Sequence, residues 1–551
     1  MLSTEVVSTV ISSREMVFAP IGMELVFLLA VFQLIREAGL RVPGSIGQAI
    51  GIIGGLILGQ AAVSANLASS VILIIVALSG LGNFCIPDYA TQLSAAYIRM
   101  ALVIAAWLGG LLGMACLVTV ALGAMARLKS YGVPFLAPMA PKTYAKRPAI
   151  LRGALRRISG QPILQIPYLG RRQLKHMEGG YIGRQETAYL LGIPLYLNGV
   201  FTLESQYAYQ GGNSTYIWVP LSIVLSLGIF LLLLLAMERA GARDLGELFE
   251  AGLGKTLGRG CMALLALLLL LGGLAGMMRF ISMLYSYVFT QSVYSSISLW
   301  IMGAVFLLAF WGIETLGRLS KLLGGLLLAL MLLNLLLPWE SYQPYRLYPL
   351  PGNTWGQVAG YSLRHTFFLL PALLGGLSLS RSVHGPKFIR SAGCIGGLGA
   401  AILAFLTQLA ISMIYGYQDL TTIYAPLYRL DMDMLREGYL FRLDKVSLFL
   451  WLMGELIGAA FFLFTASRIA SRELGLGNAK PAVAAFSVLM GCALFLNIAG
   501  DMPWWNRCAV GWCATAGCFC YPACLQDPGG IAGDQGEKGE GSCELVARCW
   551  R

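Results

Sequence analysis

Two stretches of this chain place helix-breaking residues where a bound molecule could meet free backbone groups. Residues 186–207 contain Gly192, Pro194, Asn198 and Gly199, and residues 358–380 contain Pro371, Gly375 and Gly376. Proline removes a ladder N–H and glycine removes the Cβ, so each stretch can leave backbone groups unpaired by the helix. Free N–H groups at a half-helix N-terminus attract a carboxylate, and free carbonyls hold an amine or a cation. The candidate ligand-binding set is therefore Gly192, Asn198, Gly199, Gly375 and Gly376, with the hydroxyls of Thr366 and Ser378 nearby. The bland alternative is kinked packing, because Gly and Pro are commoner in membrane helices than in soluble ones.

Charges within apolar stretches are the second kind of candidate: Glu204, Arg279, Glu314 and Glu455. An ionised group in hydrocarbon needs a partner, water or a ligand. Arg279 lies well inside its stretch and joins the ligand-binding set, although a structural pair with a glutamate explains it equally. Glu204 and Glu314 sit near stretch ends and can snorkel. Catalytic patterns fail. GLGKT at 252–256 resembles a phosphate loop, but the first glycine such a loop requires is replaced by Phe249. The three histidines, at 176, 365 and 384, have no zinc-ligand spacing, and the seven cysteines from Cys508 to Cys549 form no CxxC pair. No metal, cofactor or enzymatic activity is expected.

The elements that position these residues follow from composition. Of 551 residues, 57% are hydrophobic and 12% charged, against about 25% charged in a soluble domain. So little polar cover means a polytopic, all-helical membrane protein embedded in lipid. The net charge of +12 is local: residues 127–184 hold twelve Lys and Arg against the single acid Glu178. A basic loop between apolar stretches sets membrane orientation, which excludes a nucleic-acid partner.

Four modules are expected: a membrane module at 1–130, a basic cytoplasmic linker at 131–180, a larger module at 181–500, and a disordered Cys- and Gly-rich tail at 501–551. In the first, apolar stretches run over 17–35, 46–66, 69–86 and 95–125. Gly47, Gly51, Gly55 and Gly59 form a smooth helical ridge there, suited to an oligomeric pore or to close packing on neighbours. The second module shows about ten stretches, including a short one near 423–440. The two Gly/Pro-interrupted stretches are its first and sixth, one five-helix repeat apart, which points to an inverted-repeat transporter architecture. Basic loops alternate sides as far as the seventh stretch; beyond it Arg442 and Lys445 compete with Arg468, Arg472 and Lys480 for the inner face.

The quoted residues also carry a family resemblance. SREMVFAP (13–20), MELVFLLAVFQLIREAGLRVPGSIGQAIGIIGGLILGQAAV (23–63) and YGVPFLAPMAP (131–141) resemble the membrane region of the A subunit of spore germinant receptors. YIGRQETAYLLG (181–192), GIETLGRLSKLL (312–323) and FRLDKVSLFLWLMGELIGAAFFLFTASRIASRELGLG (441–477) resemble the B subunit, a permease-like protein of the amino acid–polyamine–organocation (APC) superfamily. The resemblance implies a ten-helix APC-type module that binds a small nutrient such as an amino acid, in the spore inner membrane or a bacterial cell membrane. It further implies a homo-oligomer formed through the A-like module and a C-subunit lipoprotein as partner. Where B subunits commonly carry an acidic residue, this chain has Gly375–Ser380, which leaves the ligand's charge open. A secondary amino acid transporter and a membrane scaffold with an inactive pocket are the alternative functions.

Overall fold

The computed structural model describes residues 17, 19–41, 59–82, 85–130, 133–136, 139, 182–201, 214–290, 292–348, 352–383, 386–420, 423, 425–433 and 443–498. Gly47, Gly51, Gly55, Glu204 and His384, together with most of the linker and the whole tail, lie outside them.

In the first module α1 (Ile21–Arg41), α2 (Ser70–Gly82) and α3 (Tyr89–Arg127) pack together. Pro87 ends the preceding segment. Asp88 then caps α3, its carboxylate accepting from the Thr91 N–H at 2.8 Å and the Thr91 hydroxyl at 2.6 Å. The buried Glu24 of α1 accepts from the Ser69 N–H at the start of α2, so a carboxylate inside the module is held by a helix N-terminus. Gly59 faces the Leu73 side chain, where a Cβ would come within 3.2 Å. After α3 the chain makes a short antiparallel bridge, pairing Lys129 with Pro134 and Ser130 with Val133.

The second module comprises α4 (Arg184–Phe201), α5 (Thr215–Ala240), α6 (Leu245–Tyr287), α7 (Tyr294–Trp311), α8 (Ile313–Leu336), α9 (Trp355–Ser378), α10 (Pro386–Ile414), the short α11 (Tyr417–Leu420) and α12 (Pro426–Asp433), α13 (Leu443–Glu473) and α14 (Lys480–Ile498). Among the described residues seven helices, α3, α5 to α8, α10 and α13, are long and apolar enough to cross a membrane. The protein is thus an all-helical, multi-pass integral membrane protein. Of the stretch near 423–440 the described residues hold one helix, α12, and residues 434–440 lie outside them. Its helix α12 has 8 residues, about 12 Å at the α-helical rise against a hydrocarbon core of about 30 Å.

Packing shows the internal repeat. Helix α4 packs on α10 as α9 packs on α5, while α6 packs on α13. Counting long helices, α9 stands five places after α4 and α10 five after α5, so these pairs exchange under an inverted repeat. Helix α13 is buried along nearly its whole length, with Trp451, Ile457, Ala460, Phe461 and Leu463 fully enclosed. Arg472 of α13 meets Asp244 and Arg468 meets Ser382, so the end of α13 lies beside the starts of α6 and the end of α9. This basic end faces the cytoplasm by the positive-inside rule.

Helix α3 packs on α7, α8 and α13, which joins the modules. Small residues allow the approach: a Cβ on Gly123 would lie 2.8 Å from Leu308. At the cytoplasmic end Arg318 donates to the Ala126 carbonyl at 2.7 Å, and Glu314 bridges Arg318 at 3.0 Å and Lys129 at 2.9 Å. Glu314, expected to snorkel, instead ties α8 to the end of α3.

Candidate functional site

Helices α4, α6 and α13 bring three polar residues together at mid-height, and α9 adds an aromatic face. Asn198, one turn before the end of α4, accepts through Oδ1 from Arg279 Nη2 of α6 at 3.3 Å. Gly276, one turn before Arg279, provides the space. A Cβ there would lie 2.9 Å from Asn198 Oδ1 and 2.9 Å from Glu455 Oε1 of α13. The two side-chain oxygens therefore converge on one glycine, and Glu455 lies within electrostatic range of Arg279. The guanidinium stacks over the Phe368 ring of α9, 4.0 Å from its centroid, a cation–π contact strengthened by removal from water.

Aromatic groups enclose this polar centre. Phe201, one turn after Asn198, meets Phe280, the residue after Arg279, at 5.7 Å and Trp451, one turn before Glu455, at 5.2 Å. On α9, His365 stacks near Phe368 at 6.2 Å and stands edge-on to Trp218 at 5.3 Å. Its Nδ1 lies 2.7 Å from the Ser222 hydroxyl, while Nε2 is buried without a hydrogen-bond partner. Guanidinium, carboxylate, amide and aromatic faces in one enclosed place can receive a small molecule that bears both an anion and a cation.

The expected candidates divide. Asn198 and Arg279 meet. Gly192 lies against α10, where a Cβ would come 3.1 Å from the Gly396 carbonyl; Gly199 faces Ile223 at 3.4 Å. Gly375 sits against Leu269 and Phe461, and Gly376 would drive a Cβ to 2.7 Å from Leu191. Helix continues through all four of these glycines and through Pro194 and Pro371. The expectation of unwound segments is therefore corrected: each proline deprives one carbonyl, that of Leu190 or Phe367, of its i+4 donor, and the glycines serve close packing. Thr366 is likewise drawn away, its hydroxyl 2.7 Å from the Ser362 carbonyl and 3.2 Å from that of Ser222. Ser378 donates to Gly375 O at 2.7 Å at the cytoplasmic end of α9. Gly276, His365 and Phe368 were not legible as site residues, and Glu455 was legible only as an isolated buried charge.

Among the described residues no cluster of His, Cys, Asp and Glu could hold a metal ion. Two family models match the chain. Residues 1–163 match the model described as Bacillus/Clostridium GerA spore germination protein, and residues 189–500 match that described as Spore germination protein. Spore germination protein KA of Bacillus subtilis (strain 168) is 36% identical over 141 residues, 26% of each chain. GerQA of Bacillus cereus is 40% identical over 141 residues, 26% of this chain and 28% of that one. The chain thus spans about a quarter of the length of these curated relatives. Among solved structures, MhsT in complex with L-phenylalanine aligns with a TM-score of 0.40 at 18% identity, covering 58% of this chain and 81% of that one. A Na+-coupled sialic acid symporter aligns at 0.43 and 10% identity, over 74% and 83%. The second model covers more than half of the sequence, and the chain belongs to the spore germination protein family.

Proposed function

We propose that this protein is a nutrient germinant receptor of the spore inner membrane, whose ligand is a zwitterionic amino acid or a similar small molecule. The observation that carries the proposal is the convergence of the Asn198 and Glu455 oxygens at Gly276, with Arg279 donating to Asn198. The guanidinium takes the ligand carboxylate, Glu455 takes its ammonium group, and Asn198 orients both. Phe201, Phe280 and Trp451 keep water from the pair, which strengthens each charged contact. Helix α13 carries Glu455 and also packs on α3 of the A-like module, a direct physical link between ligand and the proposed oligomerising module. A C-subunit lipoprotein and a homo-oligomer through that module complete the proposed receptor.

The inverted-repeat packing supports a second reading, secondary transport of the same ligand. Labelled amino acid binding and uptake, measured in parallel on the full chain in liposomes with and without an ion gradient, separate the readings. The receptor binds without accumulation, whereas a transporter accumulates ligand down the gradient. Absence of both, in the presence of a C-subunit lipoprotein, overturns both and leaves the scaffold.

A further inference from the structure

The outer end of the second module holds a carboxylate that the proposed nutrient site does not use. Asp431 of α12 is fully buried. Its Oδ2 accepts from Asn334 Nδ2 of α8 at 3.1 Å, and the Ser447 hydroxyl of α13 is hydrogen-bonded within the same group, 3.1 Å from that nitrogen. Asn334 and Ser447 are enclosed as completely. Two oxygens of this group, Asp431 Oδ1 and Asn334 Oδ1, have no hydrogen-bond partner among the described residues. The neighbouring charges are accounted for on other groups. Lys445 lies 3.3 Å from Asp444 Oδ2 and 3.3 Å from the Tyr428 hydroxyl, while Arg429 pairs with Asp433 at 3.1 Å. Among the described residues, the charged and titratable groups that act on Asp431 and its surroundings are Asp444, Tyr196, Tyr415 and Asp433, together with Arg429, which acts on Tyr415 and is paired with Asp433.

An enclosed carboxylate facing neutral donors is expensive unless a positive charge accompanies it. A proton satisfies it poorly. On Oδ2 it would confront the Asn334 N–H, which already donates to that atom, and on Oδ1 it would find no acceptor. A metal ion suits the pattern better, because it can draw on several lone pairs at once. The donors are a carboxylate oxygen, an amide carbonyl and a hydroxyl, all hard oxygens of the kind that bind alkali and alkaline-earth ions rather than zinc or copper. One uncompensated negative charge selects a monovalent ion, since a divalent one would leave a buried positive excess.

We infer that Asp431, Asn334 and Ser447 form an alkali-cation site that fastens α12 across the outer ends of α8 and α13. Asp444, at the start of α13, faces the same group and adds negative potential to it. Helix α13 also carries Glu455, eight residues after Ser447, so the ion holds the helix that contributes to the mid-height site. This inference does not depend on the nutrient proposal.

The test uses the purified full chain in detergent at mildly alkaline pH, with radiolabelled sodium as the probe and choline holding ionic strength constant. Saturable binding of a single ion is expected, with competition by unlabelled sodium or potassium reporting which alkali ion is preferred. Asp431→Asn is expected to weaken it about 10- to 100-fold, whereas Asp433→Asn, which alters the Arg429 pair beside the group, leaves it unchanged. Circular dichroism and size-exclusion profiles establish that each variant is folded. If Asp431→Asn fails to fold, a rise in the wild-type thermal midpoint with sodium over choline supports the site through ligand linkage, and no rise overturns it. Absence of saturable binding by the wild type, or full retention in folded Asp431→Asn, also overturns it and assigns the missing charge to a proton.

Discussion

The cytoplasmic end and the mid-height of the second module both bury charge, but they arrange it differently. At the cytoplasmic end Asp244 caps α6 by accepting from the Glu247 N–H at 2.9 Å, while Arg381 pairs with it at 2.7 Å and Arg472 of α13 pairs with it as well. Arg381 also reaches Glu247 at 2.6 Å. Two carboxylates and two guanidiniums from three parts of the chain thus saturate one another. At mid-height Arg279 meets a neutral amide and an aromatic face, with Glu455 brought alongside through Gly276. Saturation fixes helices to each other. A guanidinium held by softer contacts can exchange them for a ligand carboxylate at smaller cost, which is why binding is assigned to the second region.

Arg279→Met tests that assignment most severely. It removes a charged hydrogen-bond donor facing the ligand, and amino acid affinity is expected to fall by more than about 100-fold, in line with losses of about 2–5 kcal/mol on truncating a buried charged partner. Scintillation proximity binding on purified protein measures it. Arg279→Lys should recover only part, because an ammonium cannot present the planar fork. Glu455→Gln should follow, with a loss of about 10- to 100-fold for ligands bearing an ammonium group and little change for the matching deaminated acids. Equal losses for both ligand types would assign Glu455 to Arg279 rather than to ligand.

The cytoplasmic end should respond in stability instead of affinity. Arg381→Met leaves Asp244 with Arg472 and is expected to cost about 2 kcal/mol, below the range for a fully buried pair because Arg381 is partly exposed. A lower thermal midpoint with unchanged amino acid affinity is the expected outcome, and a matching loss of affinity would erase the distinction between the regions. The same network has a pH signature. Burial raises the Asp244 carboxyl, but the Arg472 hydrogen bond, the Glu247 N–H and the two guanidinium charges outweigh it, so its pKa lies below the ordinary carboxylate value. A depressed folded-state pKa contributes stability that is present above the unfolded value and lost as pH falls through the folded one. Thermal midpoints measured down an acid series should therefore drop less steeply in Asp244→Asn than in the wild type.

Spans, basic end and the five-helix offset were legible because each depends on composition or spacing along one segment. Arg279 and Asn198 were legible for the same reason: a charge and an amide within apolar runs stand out. The junction at Gly276 was not, since it requires α4, α6 and α13 to meet and a glycine in a Gly-rich helix carries no mark. Residues 426–433 are a short packed helix in which Leu427, Tyr428 and Leu430 are buried against α13 and its neighbours while Arg429 and Asp433 remain partly exposed. Apolar content alone does not separate a short packed helix from a span. Gly192 and Gly376 misled in another way, because a glycine needed for a neighbour's backbone or side chain looks in sequence like one needed for a bend.

The real bends fall elsewhere, at Gly110 in α3, with φ 57°, and Gly254 in α6, with φ 81°. No proline accompanies either, and a Cβ on Gly254 would meet nothing within 4 Å. Gly254→Ala therefore isolates backbone strain from crowding. A non-glycine residue at such a positive φ costs about 1–2 kcal/mol, while Gly376→Ala retains helical geometry and pays through its 2.7 Å approach to Leu191. The expected result is a small fall in thermal midpoint for Gly254→Ala and unaltered amino acid affinity, since the bend lies more than five turns before Arg279. An affinity change in Gly254→Ala, with the cytoplasmic ion network intact, would mean that the bend and the mid-height site move together, and it would place part of the switch in α6 itself.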